Sequence, residues 1–237
     1  MLKEAIILAG GFGTRLQTVV SDVPKPMAPV NGEPFLNYLF DYLRHYNIQH
    51  VVLSTGYLSD KIINYYQESF KGIRISYTTE ESPLGTGGGL RLAMEKCLEN
   101  EVLVMNGDSF FDISLSDFYY QHKITHSDCS LALRMVSNAA RYGTITLNES
   151  CQIITFQEKN NIPTSGLINA GIYLIRKPVF MNQTPREIPF SIEKDFFEKN
   201  LNDLKLFGFE YTGYFMDIGI PEDYNQIQHD FKKFTYR

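Results

Sequence analysis

The residues best placed to do chemistry lie close to the N-terminus. They form the stretch Leu8-Ala9-Gly10-Gly11-Phe12-Gly13-Thr14-Arg15-Leu16, with Pro24-Lys25-Pro26-Met27 behind it. Glycine lets backbone N–H groups approach a ligand with no Cβ in the way. Successive N–H groups in such a turn make an anion-binding nest. Arg15 adds a planar fork of donors that suits phosphate oxygens. Lys25 sits between two prolines that restrict the local backbone. Together they predict a loop for a polyphosphate. Further on, Asp108 closes Asn106-Gly107-Asp108 and Asp217 opens Asp217-Ile218-Gly219. Carboxylates with phosphate oxygens make the hard oxygen shell that Mg²⁺ prefers, although each Asp alone reads equally well as a turn former. No Ser/His/Asp or Cys/His set stands out. His45, His50, His122, His126 and His229 read as surface or capping residues.

These groups need elements to hold them. Residues 5–9 are an apolar run that reads as a short buried strand ending in the glycine loop. Helical spacing follows over 35–46, a strand over 51–55, a helix over 59–70 and an alternating strand over 73–77. A second glycine cluster, Leu84-Gly85-Thr86-Gly87-Gly88-Gly89, precedes a helix through Lys96, and 102–105 is a further strand. Strands alternating with helices predict a mainly parallel, Rossmann-like α/β sheet flanked by helices. Such sheets bind ligands beyond the carboxyl ends of their strands, where the first glycine loop and Asp108 both fall. From about 126 the pattern turns β-rich, with strands over 130–136, 143–147, 153–156 and 168–174. A capped helix start at 191–197, short strands at 207–209 and 214–216, and a helix from Pro221 complete the chain. The expectation is a single domain over 1–237. Its first half is about 1–125, and a small β-rich subdomain lies in about 126–237.

Composition narrows the class. The chain has 237 residues, 43% hydrophobic and 21% charged, with a formal net charge of -5. Polyanion binding by an acidic protein rests on local positive charge, which argues against a nucleic-acid binder. Cys97, Cys129 and Cys151 make neither a disulfide framework nor a zinc pattern, and read as buried or semi-buried thiols in a reducing cytoplasm. The first apolar run is too short for a signal peptide or membrane span, so no membrane association is expected. Phe and Tyr near the C-terminus suggest a homodimer interface.

The order of motifs resembles the sugar-1-phosphate nucleotidyltransferases. The resemblance is carried by the Gly-Gly-x-Gly-Thr-Arg-Leu loop, Pro-Lys-Pro, Leu84-Gly85-Thr86-Gly87-Gly88, Gly107-Asp108, Glu158-Lys159, Asn169-Ala170-Gly171-Ile172-Tyr173 and Asp217-Ile218-Gly219. It implies a nucleotide-diphospho-sugar transferase fold, with about 1–125 the nucleotide-binding half and about 126–237 the sugar-phosphate-binding half carrying a small β-rich sugar-binding subdomain, and Mg²⁺ on Asp108 and Asp217. It also implies a nucleotide site from Leu8, Ala9, Gly10, Gly11, Gly13, Thr14, Glu80, Gly85, Thr86, Gly88, Asn106 and Gly107. Gly143, Glu158, Lys159, Asn169, Glu193 and Lys194 are implied for the sugar phosphate. Arg15, Lys25 and Asp108 carry catalysis, with Arg15 on the leaving phosphates and Lys25 on the α-phosphate. The lack of an enzyme nucleophile fits: a sugar phosphate is already one, so positioning and charge stabilisation suffice.

Glu80 and Glu81 precede the second glycine cluster, and guanine offers N1–H and an exocyclic amine to a carboxylate, so GTP is the expected donor. The Gly85-Thr86-Gly87-Gly88-Gly89 form, Ser191-Ile192-Glu193-Lys194-Asp195-Phe196 and the short C-terminus are similar to the bacterial branch that includes D-glycero-D-manno-heptose 1-phosphate guanylyltransferases. Mannose-1-phosphate guanylyltransferases and N-acetylmuramate-1-phosphate uridylyltransferases share most of these motifs, and a sugar-1-phosphate nucleotidyltransferase using UTP or dTTP stays as an alternative. A non-catalytic nucleotide-sugar sensor would have lost Arg15, Lys25 or Asp108. A glycosyltransferase would usually carry Asp-x-Asp, and Asp108-Ser109-Phe110 lacks the second Asp.

Overall fold

The structure, a computed structural model of the chain, describes residues 2–11, 16, 19–80, 82–157, 164–186 and 188–232. The first half alternates strands and helices. β1 (Glu4–Ala9) leads through a 3-10 turn at Lys25–Met27 and a small hairpin of β2 (Pro29–Val30) and β3 (Glu33–Pro34) to α1 (Phe35–His45). Asn47 in the left-handed region (φ 58°) closes that helix and starts β4 (His50–Thr55). α2 (Ser59–Tyr66) follows. The helix expected over 59–70 stops early, because Gln67, Lys71 and Gly72 all have positive φ and fold 69–73 into a hairpin. β5 (Ser69–Phe70) thus pairs antiparallel with β6 (Ile73–Thr79). Then come α3 (Gly85–Met94), β7 (Glu101–Asn106), β8 (Ser109–Phe111) and α4 (Leu115–Ile124). Ser114 caps α4 by accepting from the Asp117 amide at 3.2 Å.

The second half adds β9 (Cys129–Val136), β10 (Thr144–Leu147), β11 (Ile153–Gln157), β12 (Gly166–Arg176), α5 (Lys177–Gln183), β13 (Leu206–Glu210), β14 (Phe215–Asp217) and α6 (Pro221–Asp230). One large sheet runs β11-β10-β12-β7-β1-β4-β6-β5, with β9 also on β12 and β13 on β9. β7, β1, β4 and β6 are parallel, and β12 joins them antiparallel along β7. This is the mixed, mostly parallel α/β sheet expected. β12 changes neighbours along its length: Leu167 and Ile168 pair with β10, while Ile172–Arg176 pair with β7. The change falls at an irregularity between Asn169 and Tyr173. There Gly171 has φ +79°, and a Cβ on it would lie 2.6 Å from Asn106 Nδ2.

Strand alternation splits the core between two faces. Ala5, Ile7, Val51, Leu53, Leu103 and Met105 pack with the apolar stripe of α1 and the rings of Phe110 and Phe118. Ile6, Val52, Val102 and Val104 pack with Leu90, Ala93 and Met94 of α3 and with Phe180, Phe196 and Phe197. Burial on both faces is why the parallel strands read as unbroken apolar runs. Cys97 and Cys129 are buried as expected, but Cys151 is exposed, in a turn where its own φ is +63°. No described helix is long and apolar enough to cross a membrane.

His50 and His122, expected at the surface, are 4% and 1% exposed. His122 bonds Ser130 Oγ at 2.8 Å, and burial pushes its pKa down to about 4. His50 joins a polar clamp at the end of the sheet away from the glycine loop. Glu4 meets His50 Nδ1 at 2.8 Å and accepts from the amides of Leu98 and Glu99 at 2.7 Å each, while His50 Nε2 meets Ser76 Oγ at 2.9 Å. Burial would raise the Glu4 pKa, but these donors together hold it below the usual 4.5. Its contribution to stability is therefore complete above pH 4.5 and is lost as pH falls through the depressed folded value. Glu4→Ala strands two amides and is expected to cost about 2–3 kcal/mol. Urea melts should show this at pH 7, with the gap to the parent narrowing as the medium is acidified below pH 4.

Candidate functional site

Lys25 is the point where three distant pieces of chain meet. The 3-10 turn at Lys25–Met27, with Pro24 and Pro26 buried beside it, aims the ammonium at two carboxylates. Nζ lies 2.6 Å from Asp108 Oδ2 and 3.4 Å from Asp217 Oδ1. β8 and β14 bring those acids together. The two strands pair antiparallel with Ser109 opposite Asp217, and the Ile218 amide donates to the Asp108 carbonyl at 2.9 Å. The Gly107 amide donates to the Leu8 carbonyl at 2.9 Å, which ties the same corner to the end of β1. Burial raises the Asp217 pKa, and the charge of Asp108 raises it further against the pull of Lys25. For Lys25, burial acts downward but the two carboxylates outweigh it and hold the ammonium's pKa above its ordinary value. The corner therefore holds one cation between two acids and has appetite for more positive charge.

The second glycine cluster is not a loop. Gly85 to Gly89 form the first turns of α3. Their small size serves the protein itself: a Cβ on Gly87 would lie 2.1 Å from the Phe190 ring. Phe190 and this turn also exchange backbone bonds, Phe190 N to the Leu84 carbonyl at 3.0 Å and Gly87 N to the Phe190 carbonyl at 2.9 Å. Glu80 sits at the start of α3, where its Oε2 accepts from the Leu84 amide at 2.7 Å. Burial raises its pKa despite that bond.

Beyond Phe190, Ser191 caps a π-type turn over Ile192–Phe197, its hydroxyl accepting from the Lys194 amide at 3.3 Å. Asp195 returns the bond to the Ser191 amide at 2.9 Å, the part in the cap that Glu193 could have played. Glu193 Oε2 instead accepts from Ser191 Oγ at 2.7 Å and from Thr86 Oγ1 at 3.0 Å. Asn169 bonds within its own strand, to the Gly171 amide at 3.0 Å and to Tyr173 Oη at 2.9 Å.

A cleft of about 500 Å³ opens against these groups. Of the residues singled out in the sequence, Asn106, Gly143, Asn169, Glu193, Lys194 and Asp217 line it. Lys25 and Asp108 reach it through Asp217, and Leu8, Ala9, Gly10 and Gly11 lie at the end of β1. Gly85, Thr86 and Gly88 belong to the start of α3, with Gly88 buried. Gly13, Thr14, Arg15, Glu81, Glu158 and Lys159 lie outside the described residues. Phe156, Glu198 and Ile220 also line the cleft and went unremarked in the sequence. Glu198 follows Lys194 by one helical step, so the periodicity of that capped segment was the available signal. Arg141, at the rim, pairs with Asp223 of α6 at 2.7 Å.

A lysine and two carboxylates held together at the edge of a cleft, with no activated nucleophile among the described groups, suit transfer between phosphates. The chain belongs to the nucleotidyl transferase family, whose model matches residues 4–233. It is 42% identical over 231 residues to the D-glycero-alpha-D-manno-heptose 1-phosphate guanylyltransferase of Aneurinibacillus thermoaerophilus, covering 98% of this chain and 99% of that one. The protein of the same name from Campylobacter jejuni is 43% identical over 221 residues, with 93% and 96% covered. Among solved structures, HddC from Yersinia pseudotuberculosis complexed with GMP-PN aligns with a TM-score of 0.85 at 32% identity, covering 98% of this chain and all of that one.

A side chain at Gly219 would push the ends of Asp217 and Lys25 out of place. A Cβ there would lie 2.8 Å from Asp217 Oδ1 and 3.0 Å from Lys25 Nζ. Gly219→Ala is expected to cut turnover on the order of 10²-fold by misplacing these groups, with little change in melting temperature. Steady-state kinetics beside a thermal melt checks this; an active variant with a lowered melting point would point to a purely structural glycine.

Proposed function

We propose that this enzyme transfers GMP from GTP to D-glycero-α-D-manno-heptose 1-phosphate, releasing pyrophosphate and leaving GDP-heptose. The carrying observation is Lys25 clasped by Asp108 and Asp217 at the edge of the cleft. The guanylyltransferase names of the two relatives and the GMP-PN in the structural neighbour support the choice of base and sugar. An oxygen of the sugar phosphate attacks the α-phosphorus in line, and the bond from that phosphorus to the bridging oxygen breaks as pyrophosphate leaves. Lys25 carries three N–H donors. Two are spent on the carboxylates, and the third serves a non-bridging oxygen of the α-phosphate, where charge builds up. The glycine turn after β1, with Arg15, cradles the β- and γ-phosphates. Gly143, Asn169, Glu193 and Lys194 receive the sugar phosphate, together with Glu158 and Lys159.

Asp108 and Asp217 would hold Mg²⁺. The fit is chemical: two carboxylates are forced together in a partly buried corner that raises one of their pKa values. Among the described residues no third His, Cys, Asp or Glu joins them, which suits a cation that takes one or two carboxylates and fills its shell with substrate phosphates and water. Bound there, it would neutralise phosphate charge and ease the approach of two polyanions. Such a reaction draws on cytoplasmic GTP and would feed capsule, S-layer or lipopolysaccharide assembly.

Lys25→Ala is expected to lower kcat by about 10²–10³-fold while GTP affinity shifts far less, because its third donor matters most in the transition state. Equal losses in single-turnover rate and in GTP affinity measured by calorimetry would assign it to ground-state binding. With the parent enzyme, pyrophosphate release should be greatest for GTP with the heptose phosphate, stop with EDTA and return with Mg²⁺. Preference for UTP or dTTP, or turnover of mannose 1-phosphate without the heptose, would overturn the substrate assignment.

A further inference from the structure

Thr86 lies at the start of α3, and the motif resemblance counts it among the nucleotide ligands. Its hydroxyl bonds lead elsewhere. A threonine hydroxyl has one proton to donate. Thr86 Oγ1 donates it to Glu193 Oε2 at 3.0 Å, and the same oxygen accepts from the Ile192 amide at 3.0 Å. No proton is left for a phosphate or a base. Glu193 Oε2 receives a second hydroxyl, from Ser191, at 2.7 Å. One carboxylate oxygen is thus fixed by two donors from two different segments, and Oε1 remains to accept from a ligand in the cleft that Glu193 lines.

Ser191 alone would not orient the carboxylate. It sits two positions before Glu193 on the same turn and moves with it. Thr86 belongs to another element, so its bond references Glu193 to α3, which is itself fixed by the Phe190 ring against Gly87. A carboxylate held from two directions meets a sugar hydroxyl without first losing rotamer freedom, and such preorganisation shows as affinity.

We infer that Thr86 is a positioning residue for sugar recognition: it holds the Glu193 carboxylate in place to accept from hydroxyls of the sugar 1-phosphate and donates no proton of its own to the nucleotide. The inference rests on the reading of the cleft as the sugar-phosphate site. It assigns the two ends of one hydrogen bond to different tasks, alignment at Thr86 and recognition at Glu193.

The test compares Thr86→Val, which keeps the shape and removes the hydroxyl, with Thr86→Ser, which restores it. Thr86→Val should raise KM for the sugar 1-phosphate about tenfold, as loss of a hydrogen bond to a charged group does. KM for GTP should stay within about twofold, and Thr86→Ser should return both to the parent values. In a double-mutant cycle, Thr86→Val on top of Glu193→Ala should add nothing, because the hydroxyl acts through that carboxylate. An unchanged KM for the sugar phosphate, a raised KM for GTP alone, or additive losses in the double variant would each overturn the inference. So would a crystal structure of Thr86→Val with the Glu193 carboxylate unmoved. If the parent enzyme instead turns over another nucleotide or sugar 1-phosphate, the substrate reading fails alone, since the same variants are then compared on that pair.

Discussion

Two carboxylates in a partly buried corner repel each other, and something must hold them there. In this protein Lys25 does so. Its ammonium meets Asp108 from the end of the parallel half and Asp217 from near the C-terminus, and a short ribbon of β8 and β14 fixes their spacing. The geometry of the cleft depends on that balance. Without the cation the acids would drive the ribbon apart or take up a proton; without the ribbon the lysine would have one partner and a less defined direction.

Close approach of backbone is the second ingredient. At Gly87 the missing side chain admits the Phe190 ring, and at Gly219 it leaves space for the lysine and the acid. One fastens the nucleotide-side helix to the segment carrying Glu193; the other brings the end of β14 against the 3-10 turn.

The parallel half was readable because its strands are buried on both faces and its helices carry periodic stripes. The ends of elements were less readable. Residues 67–70 look helical as the end of the 59–70 stripe, yet positive φ at Gln67 and Lys71 turns the chain there into a hairpin. His50 and His122 passed for surface residues because the partners that let them be buried, Glu4 with Ser76 and Ser130, come from other strands. The candidate site divides along the same line. Lys25, Asp108 and Asp217 are legible as local motifs, and so is the cap at Ser191. That Asp195 and not Glu193 completes the cap, and that Thr86 reaches across to Glu193, depends on packing between α3 and the turn after Phe190. No local pattern encodes that packing.

The change of partners along β12 bears on how the chain is made. β7, with its Val102-Leu103-Val104-Met105 run, gains β1 as a neighbour as soon as both have emerged from the ribosome, but its other edge waits for Ile172–Arg176. Until then a short apolar strand presents open hydrogen-bonding groups, the kind of edge on which chains pair with one another. β12 is therefore also the protective cover of the nascent parallel sheet. Damage to its C-terminal half would be felt as aggregation during synthesis before it was felt as lost activity.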